Sequence, residues 1–275
     1  MSASIRETDG CGAEITGVSV PRASAAEIDL IRQAVFDRGV AFLHGQNLTP
    51  EEQIAFAEKI GPIVVNRYFP PSEKYPQIAK VEKTEEQTTN IGGGWHTDHS
   101  YDQAPAMGSV LLAVETPPTG GDTQFANMYA AYEALSDGLK ETLGSLRALH
   151  ASEHIYGVDG VYGKTDQAHL AGKTDTPSAV HPVVITHPGS GKKALYVNPA
   201  FTVRFDGWSV EESRPLLGFL YQHAIKPQFT TRFSWKPGSI AIWDNRATWH
   251  LAMNDYQGHR RLMHRITIAG GPLAA

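Results

Sequence analysis

Residues 92–101 read GGGWHTDHSY, and this stretch decides how the rest of the chain is interpreted. If the part from Trp95 to Ser100 is extended, the two-residue period of a strand sends His96 and Asp98 to one side and His99 to the other. An imidazole and a carboxylate on one side can share a metal ion. A His-X-Asp pattern alone is common by chance, however, and solvent-exposed histidines are ordinary. A metal site at this stretch therefore requires a third ligand from elsewhere in the chain.

The best candidate for that ligand is His250, which ends the segment WDNRATWH at residues 243–250. Two histidines and one carboxylate on one face of an ion are the ligand set of non-haem Fe(II) oxygenases. A zinc hydrolase uses the same three ligand types to activate a water molecule. Because the chain contains 12 histidines, a third imidazole can always be found, so these residues leave both metals open.

A second pattern lies eleven to fifteen residues after His250, in the segment HRRLMHRITI at residues 259–268. In a strand, Arg261 and Arg265 would share one face, about 13 Å apart. Each guanidinium can hold a carboxylate or a sulfonate through two hydrogen bonds, so this strand could anchor two anions near one metal. An edge strand with solvated arginines fits the same residues.

Four stretches have helical periodicity with recognisable ends. The first is Ala25 to Arg38, and the second begins at the cap Thr49, followed by Pro50 and Glu52. The third, between Asn127 and Leu146, is one long helix or two short ones. The fourth begins at the cap Ser209, with Glu212 three residues later. Pro215 would kink the last helix or delay its start.

Extended runs separate these helices at residues 13–20, 40–43, 78–82, 108–114, 183–186, 195–197, 229–235, 239–243 and 262–268. The runs do not alternate strictly with helices. The chain therefore favours a mainly β fold, a mixed or antiparallel sandwich with helices outside, over a doubly wound parallel sheet.

Length and composition indicate an ordinary globular protein. The chain has 275 residues, a net charge of -5 and 41% hydrophobic residues, which suits one domain over 1–275. Its single cysteine, Cys11, cannot form a disulfide within the chain and suits a reducing compartment. Mild acidity argues against nucleic acid as a partner. Met1 to Gly10 lacks an apolar run, and Val110 to Val114 is far shorter than the roughly 20 residues of a membrane span. We therefore expect a cytoplasmic protein with no membrane partner. Separately, residues 157–180 are long for a connection between elements, so we expect a lid or insert there.

With these blocks assembled, the chain resembles the taurine dioxygenase and aryloxyalkanoate dioxygenase family of Fe(II)- and 2-oxoglutarate-dependent oxygenases. The likeness runs through residues 12–18, 95–98, 120–123, 181–184, 187–192, 196–198, 243–246 and 260–265. It implies a double-stranded β-helix, or jelly-roll, core with flanking helices. It also implies that Fe(II), 2-oxoglutarate and O2 are used to hydroxylate a C–H bond, with release of succinate and CO2.

The resemblance assigns roles residue by residue. It makes three residues the iron ligands: His96, Asp98 and His250. It places the distal carboxylate of 2-oxoglutarate on Arg261 and Thr123, and the anionic group of the substrate on Arg265.

The substrate residues depart from those of taurine dioxygenase, where a His, a Tyr and an Asn also hold taurine. Asn66, Phe69 and Gly92 stand at those positions here. Residues 150–162 and 198–204 are more similar to the aryloxyalkanoate branch, whose members accept an apolar body with an anionic head.

We therefore expect a small anionic organic substrate, either an aryloxyalkanoate-like carboxylate or an alkyl sulfonate or sulfate. Phe69, Tyr101 and Phe201, together with Trp95, are expected to line its cavity. The alternatives are a taurine or sulfonate dioxygenase proper, a zinc hydrolase, and a catalytically silent protein that binds small anions. Relatives of this family are commonly dimers or tetramers, so a homo-oligomer is expected.

Overall fold

Strands make most of the framework, and helices pack around them. The computed structural model describes residues 3–69, 72 and 74–275, so the domain predicted over 1–275 includes five positions outside the described residues. The strands, numbered along the chain, are β1 (Ser4–Glu7), β2 (Ala13–Thr16), β3 (Val40–Leu43), β4 (Ile63–Val64), β5 (Ala79–Lys83), β6 (Gly108–Glu115), β7 (Thr123–Asn127), β8 (Arg147–Ala151), β9 (Ser178–Pro182), β10 (Val184–Thr186), β11 (Lys193–Leu195), β12 (Thr202–Phe205), β13 (Thr230–Phe233), β14 (Ile240–Asp244), β15 (Thr248–Ala252) and β16 (Arg261–Ile268). The α-helices are α1 (Ala25–Arg38), α2 (Pro50–Ile60), α3 (Met128–Glu133), α4 (Asp137–Gly144), α5 (Glu153–Tyr156) and α6 (Val210–Ala224). Short 3-10 helices lie at Val20–Arg22, Val161–Lys164, Ala168–Leu170 and Pro227–Phe229.

The largest sheet has the strand order β1-β2-β3-β14-β6-β16-β4, and β5 also pairs with β16. All of its pairs are antiparallel except β2 with β3. A three-stranded sheet, β13-β7-β15, faces it. The remaining strands form a second three-stranded sheet, β12-β8-β9, and the hairpin β10-β11. Two facing sheets of mainly antiparallel strands are the arrangement of a jelly roll. The predicted mixed sandwich with helices outside is thus confirmed.

The two faces of the large sheet have different neighbours. In β3, Ala41 and Leu43 point to the face that α1 and α2 cover, within one apolar cluster. Val40 and Phe42 point the opposite way and pack with Phe125 of the smaller sheet. This alternation is the two-residue period of a strand. We call the side that faces β13-β7-β15 the inner face, and the site described below lies on it.

The helix predictions are confirmed. Helix α1 has the predicted bounds, and α2 and α6 carry the predicted capping boxes at their first turns. The stretch from 127 to 146 forms the two short helices α3 and α4. Of the two effects expected at Pro215, a kink or a delayed start, the delayed start is wrong: α6 begins at Val210 because Ser209 caps it, and the proline lies inside the helix. No helix among the described ranges is long and apolar enough to cross a membrane.

Each of the nine predicted extended runs overlaps a strand, but seven strands were not predicted. Two of the missed strands, β7 and β15, carry the sequences TQFAN and TWHLA. Their inward positions include Thr123, Thr248 and His250, so the apolar alternation that marks a strand is interrupted. All three are buried: Thr123 and His250 line the inner cavity, and Thr248 donates its hydroxyl to the backbone carbonyl of Asp244.

Candidate metal centre and its two cavities

Three predicted metal ligands come together on the inner face. One ligand atom each from His96, Asp98 and His250 lies within 4.8 Å of the other two, and no other group of this kind exists among the residues that the structure describes. Nε2 of His96 is 3.7 Å from Oδ1 of Asp98, and Nε2 of His250 is 3.7 Å from Oδ2. The backbone N–H of each histidine donates to the carbonyl of the other, at 3.1 and 2.8 Å. This short bridge brings two segments far apart in sequence to one point.

The segment that carries Asp98 is a turn and not the strand that the sequence suggested. Only His96 pairs as a strand residue, with His250, and the chain then turns through residues 98–101. His99 has φ 61°, a left-handed conformation that is uncommon outside glycine. Its ring points away from the site, as predicted, and its Nδ1 lies 2.9 Å from the Asp102 carboxylate. The expected convergence of His96 and Asp98 is therefore right, although its predicted cause is wrong.

Asn245 fixes this turn to the hairpin that presents His250. Its carbonyl accepts the hydroxyl of Thr97, and its side-chain N–H donates to the carbonyl of Ala106 at 3.2 Å. Its side-chain oxygen accepts from the indole N–H of Trp243 at 2.9 Å. The backbone carbonyl of Asn245 thus connects the two ligand-bearing segments, and its side chain fixes the start of the hairpin to Trp243 and Ala106.

The protonation states suit a divalent metal. Nδ1 of His96 lies 2.8 Å from the carbonyl of Gly94, so an Nδ1–H donor leaves the Nε2 lone pair directed at the cluster. Burial, and then His96, hold the pKa of His250 well below its ordinary value, so its imidazole is neutral. Burial acts to raise the pKa of Asp98, but Arg265 and the histidines outweigh it and lower that pKa below its ordinary value. Two imidazoles that direct Nε2 at one point and a carboxylate are a donor set that binds Fe(II).

Arg261 and Arg265 lie on the inner face and are buried. Strand β16 pairs with β6 on one side and with β5 and β4 on the other, so the alternative of an edge strand with solvated arginines is wrong. Nε of Arg261 donates to the carbonyl of Gly121 at 3.0 Å. Arg265 places Nη1 3.3 and 3.4 Å from the two oxygens of Asp98 and its guanidinium 4.5 Å from the centroid of the Phe69 ring.

Each arginine keeps one buried nitrogen free for a ligand. Within the described chain, Nη2 of Arg261 and Nε of Arg265 have no hydrogen-bond partner. Thr123, on β7, accepts the indole N–H of Trp235 at 2.9 Å, so its own hydroxyl hydrogen is available to a further acceptor. A narrow inner cavity joins these groups to the metal cluster. It is lined by Val81, Ile91, Gly92, His96, Leu111, Thr123, Trp243, His250, Ala252, Arg261 and Arg265.

A wider outer cavity of about 510 Å³ opens beside His96. Phe201 and Trp95 line it, and none of its described lining residues is Asp, Glu, Lys or Arg. The lining is Thr89, Asn90, Ile91, Gly92, Gly93, Gly94, Trp95, His96, Ile155, Tyr156, Val161, Tyr162, Pro199, Ala200, Phe201 and Asn254. Two predicted substrate residues lie behind this wall instead of in it: Phe69 packs under Arg265, and Tyr101 packs edge-on against Phe201 with ring centroids 4.9 Å apart.

Tyr156 and Tyr162 are lining residues that were not among the predicted site residues. Tyr162 belongs to the segment 157–180, which has no periodicity that would orient a side chain from sequence. Its hydroxyl accepts the backbone N–H of Gly92 at 3.1 Å, four residues before His96. The Tyr156 and Tyr162 rings stack at 5.8 Å and together form one wall of the outer cavity.

The segment 157–180 is fastened to the loop that precedes the metal cluster. The Asp166 carboxylate accepts hydrogen bonds from the backbone and hydroxyl of Thr88 and from the backbone of Thr89. The side-chain N–H of Gln167 donates to the carbonyls of Glu82 and Thr89, at 3.2 and 3.0 Å. The segment is therefore tied to the loop that precedes the metal cluster, and two of its residues, Val161 and Tyr162, line the outer cavity.

Comparisons with known proteins agree with this arrangement. A sequence profile described as "Taurine catabolism dioxygenase TauD, TfdA family" matches residues 4–267. The chain belongs to this family. It is 34% identical to an alpha-ketoglutarate-dependent sulfate ester dioxygenase of Pseudomonas putida, over 94% of this chain and 86% of that one. It is 33% identical to an alpha-ketoglutarate-dependent 2,4-dichlorophenoxyacetate dioxygenase of Burkholderia sp. strain RASC, over 90% and 87%. The crystal structure of a taurine dioxygenase from Burkholderia xenovorans superposes with a TM-score of 0.84 at 33% identity, covering 100% of this chain and 93% of that one.

Membership of the TauD, TfdA family settles the class of reaction. The protein is an Fe(II)- and 2-oxoglutarate-dependent dioxygenase that uses O2. The resemblance stated from the sequence and its jelly-roll core are both confirmed. The zinc hydrolase and the silent anion-binding protein lose their support, because the relatives are named as oxygenases and the full ligand cluster is present.

Proposed function

We propose that His96, Asp98 and His250 hold Fe(II), and that Arg261 and Thr123 hold the distal carboxylate of 2-oxoglutarate. The observation that carries this assignment is the inner cavity, which extends from the ligand histidines His96 and His250 to Arg261, whose buried Nη2 has no partner among the described residues. With O2, the bound iron and 2-oxoglutarate supply oxidation: 2-oxoglutarate becomes succinate and CO2, and one oxygen atom enters a C–H bond of the substrate. The protein supplies placement and exclusion of water.

Arg265 is proposed to bind the anionic group of the substrate. It is buried, it lies between the metal cluster and the Phe69 ring, and its Nε has no partner among the described residues. Its contact with Asp98 places any anion that it binds close to the metal cluster. A guanidinium can grip a carboxylate, a sulfonate or a sulfate ester equally well, so this residue sets the charge of the head group and not its chemical class.

The outer cavity supports a substrate with an apolar, aromatic or branched body. Its walls are mainly aromatic and aliphatic, with Trp95, Tyr156, Tyr162 and Phe201 among them. None of its described lining residues has a carboxylate to pair with the ammonium group of taurine. We therefore favour an aryloxyalkanoate or an alkyl sulfate over taurine. Hydroxylation of the carbon next to the ether or ester oxygen would give a product that splits into a carbonyl compound and a released phenol or sulfate.

The remaining expectations are part of the same proposal. Residues 1–275 form one catalytic domain, and 157–180 acts as the lid of the outer cavity. The protein works in the cytoplasm as a homo-oligomer, a dimer or a tetramer. Light scattering after size-exclusion chromatography tests the assembly.

The experiment is a substrate scan with the Fe(II)-loaded protein, 2-oxoglutarate and O2. Succinate release and O2 uptake are followed with aryloxyacetates, aryloxypropionates, alkyl sulfates, alkyl sulfonates and taurine. Strong stimulation by an anion with an apolar body supports the proposal. Stimulation by taurine alone contradicts the substrate assignment, and failure of 2-oxoglutarate to bind contradicts the site assignment.

A matched pair of compounds isolates the head group. An aryloxyacetate and its neutral primary amide have the same body and nearly the same shape. If Arg265 holds the head group, only the anion stimulates turnover strongly in the unmodified enzyme, and this preference shrinks in Arg265→Gln. Equal stimulation by both compounds would remove Arg265 from the assignment.

A further inference from the structure

Lys83 is a buried lysine whose ammonium group has no hydrogen-bond partner in the described part of the chain. The residue is 2% exposed, and Nζ lies 4.6 Å from the centroid of the Tyr256 ring. Lysine is among the residues least often buried without a paired charge. Its position therefore calls for an anion that the chain alone does not supply.

The strand register places Lys83 beside Arg261. The two residues are direct partners in the pairing of β5 with β16, so their side chains leave the same, inner face. The Cβ atoms of directly opposite residues are about 5 Å apart. Two buried cations thus lie side by side: Arg261 lines the inner cavity, and Lys83, which is outside that lining, is its direct neighbour on β5. The Tyr256 ring contacts the Lys83 ammonium and is also among the groups that act on the charge of Arg261.

Nearby acids do not neutralise this pair. Asp122, the carboxylate that acts on Arg261, forms an ion pair with Arg232 at 2.5 Å and accepts the hydroxyl of Ser234. Asp255 accepts the backbone N–H of Gly121 and lies 3.5 Å from Arg232. Among the described residues, Lys83 Nζ has no hydrogen-bond partner, and Arg261 donates to the backbone carbonyl of Gly121 while its Nη2 stays unpaired. A ligand carboxylate beside Arg261 would supply the missing anionic partner.

We propose that Lys83 is a positioning residue for the cosubstrate: its charge, acting with Arg261, attracts and holds the distal carboxylate of 2-oxoglutarate and selects dicarboxylic over monocarboxylic 2-oxo acids. This inference rests on the proposed role of Arg261. By Coulomb's law, a charge about 7 Å from the carboxylate, at an effective dielectric constant of about 20, changes the affinity for that carboxylate by tens of fold. We therefore expect loss of the Lys83 charge to weaken dicarboxylate binding at least about tenfold.

The test is calorimetric binding to the full-length protein loaded with Mn(II), which requires no turnover. The probes are N-oxalylglycine, which has a distal carboxylate, and 2-oxovalerate, which has the same chain length without one. The variants are Lys83→Met, Lys83→Arg and Lys80→Met. Lys80 lies on the same strand and is exposed on the opposite face, so it is the matched control.

If Lys83 holds the carboxylate, Lys83→Met weakens N-oxalylglycine binding at least tenfold. Binding of 2-oxovalerate changes by less than about twofold, Lys83→Arg restores the preference for the dicarboxylate, and Lys80→Met has no effect. The metal-free Lys83→Met protein should also melt at a higher temperature, because a buried ammonium is replaced by an apolar group of similar volume.

Two results separate failure of this inference from failure of the proposed function. If Lys83→Met leaves N-oxalylglycine binding unchanged while Arg261→Gln weakens it, Lys83 is only a packing residue and the inference is wrong. If neither variant changes the binding of N-oxalylglycine, the proposed role of Arg261 is wrong and the inference falls with it. Equal weakening of both probes by Lys83→Met would indicate general disruption and also overturn the inference.

Discussion

Replacing Arg265 with glutamine should separate substrate binding from cosubstrate binding. The side chain is buried, contacts Asp98 at 3.3 and 3.4 Å, and stacks over Phe69. Glutamine keeps a polar group of comparable reach but removes the charge. We expect the KM for the anionic substrate to rise strongly, while the Kd for 2-oxoglutarate stays within about threefold, because Arg261 remains in place.

The magnitude follows from the contacts that are lost. A hydrogen bond to a charged group contributes about 1.5–3 kcal/mol, and about 1.4 kcal/mol corresponds to a factor of ten. The KM should therefore rise by about 10- to 150-fold. Loss of the positive charge next to Asp98 also raises the pKa of that carboxyl, since Arg265 is the main group that lowers it.

Steady-state succinate release against substrate concentration gives the KM, and anaerobic titration of the Fe(II) protein with 2-oxoglutarate gives the Kd. Arg261→Gln serves as the reciprocal variant and should raise the Kd for 2-oxoglutarate instead. If Arg265→Gln weakens 2-oxoglutarate and leaves the substrate KM unchanged, the two arginines have been assigned in the wrong order.

Three further outcomes are expected. Asp98→Ala should abolish Fe(II) binding in equilibrium dialysis and 2-oxoglutarate turnover, and retained turnover would exclude the proposed triad. Burial, and then His181, lower the pKa of His150 to about 3, so the unfolded state takes up a proton below pH 6.5 that the folded state does not. The contribution of His150 to the free energy of unfolding is therefore fully present above pH 6.5 and is lost as the pH drops toward 3. The loss between pH 7 and pH 5 is about 2 kcal/mol. Denaturant titrations at the two pH values should show a smaller loss in His150→Asn, and an equal loss in both proteins would contradict the pKa. Asp166→Ala should increase hydrogen exchange in residues 157–180 and raise the substrate KM while the Kd for 2-oxoglutarate is unchanged; unaltered exchange would show that this carboxylate does not fasten the lid.

The sequence predicted those elements whose local chemistry is sufficient to define them. The boxes at Thr49 and Ser209 fix the starts of α2 and α6, because the cap and the third helical residue satisfy each other's backbone groups. Strand β16 was predicted because its arginines and its aliphatic residues alternate, and that alternation also placed both arginines on one face. Periodicity was thus enough to find one half of the site.

The other half depends on contacts between distant residues. The turn at Asp98 is set by Thr97 and Asn245, which are 148 residues apart, and no local pattern encodes that bond. Lys83 was overlooked because a lysine in a short run reads as solvent-exposed, and only its pairing opposite Arg261 shows that it is buried. Tyr162 was missed for a similar reason, since its orientation depends on the backbone of Gly92.

The division of labour between strands and loops has a consequence for the diversification of this enzyme. His250, Arg261 and Arg265 are carried by paired strands, whereas the outer cavity is walled by connecting segments at 89–95, 155–162 and 199–201. Connecting segments accept insertions and substitutions with less damage than the sheets that carry them. The segment 89–95 holds the ring of His96 through the carbonyl of Gly94 and has to be kept. A laboratory library confined to 155–162 and 199–201 would therefore explore specificity while the metal ligands and both arginines stay in place.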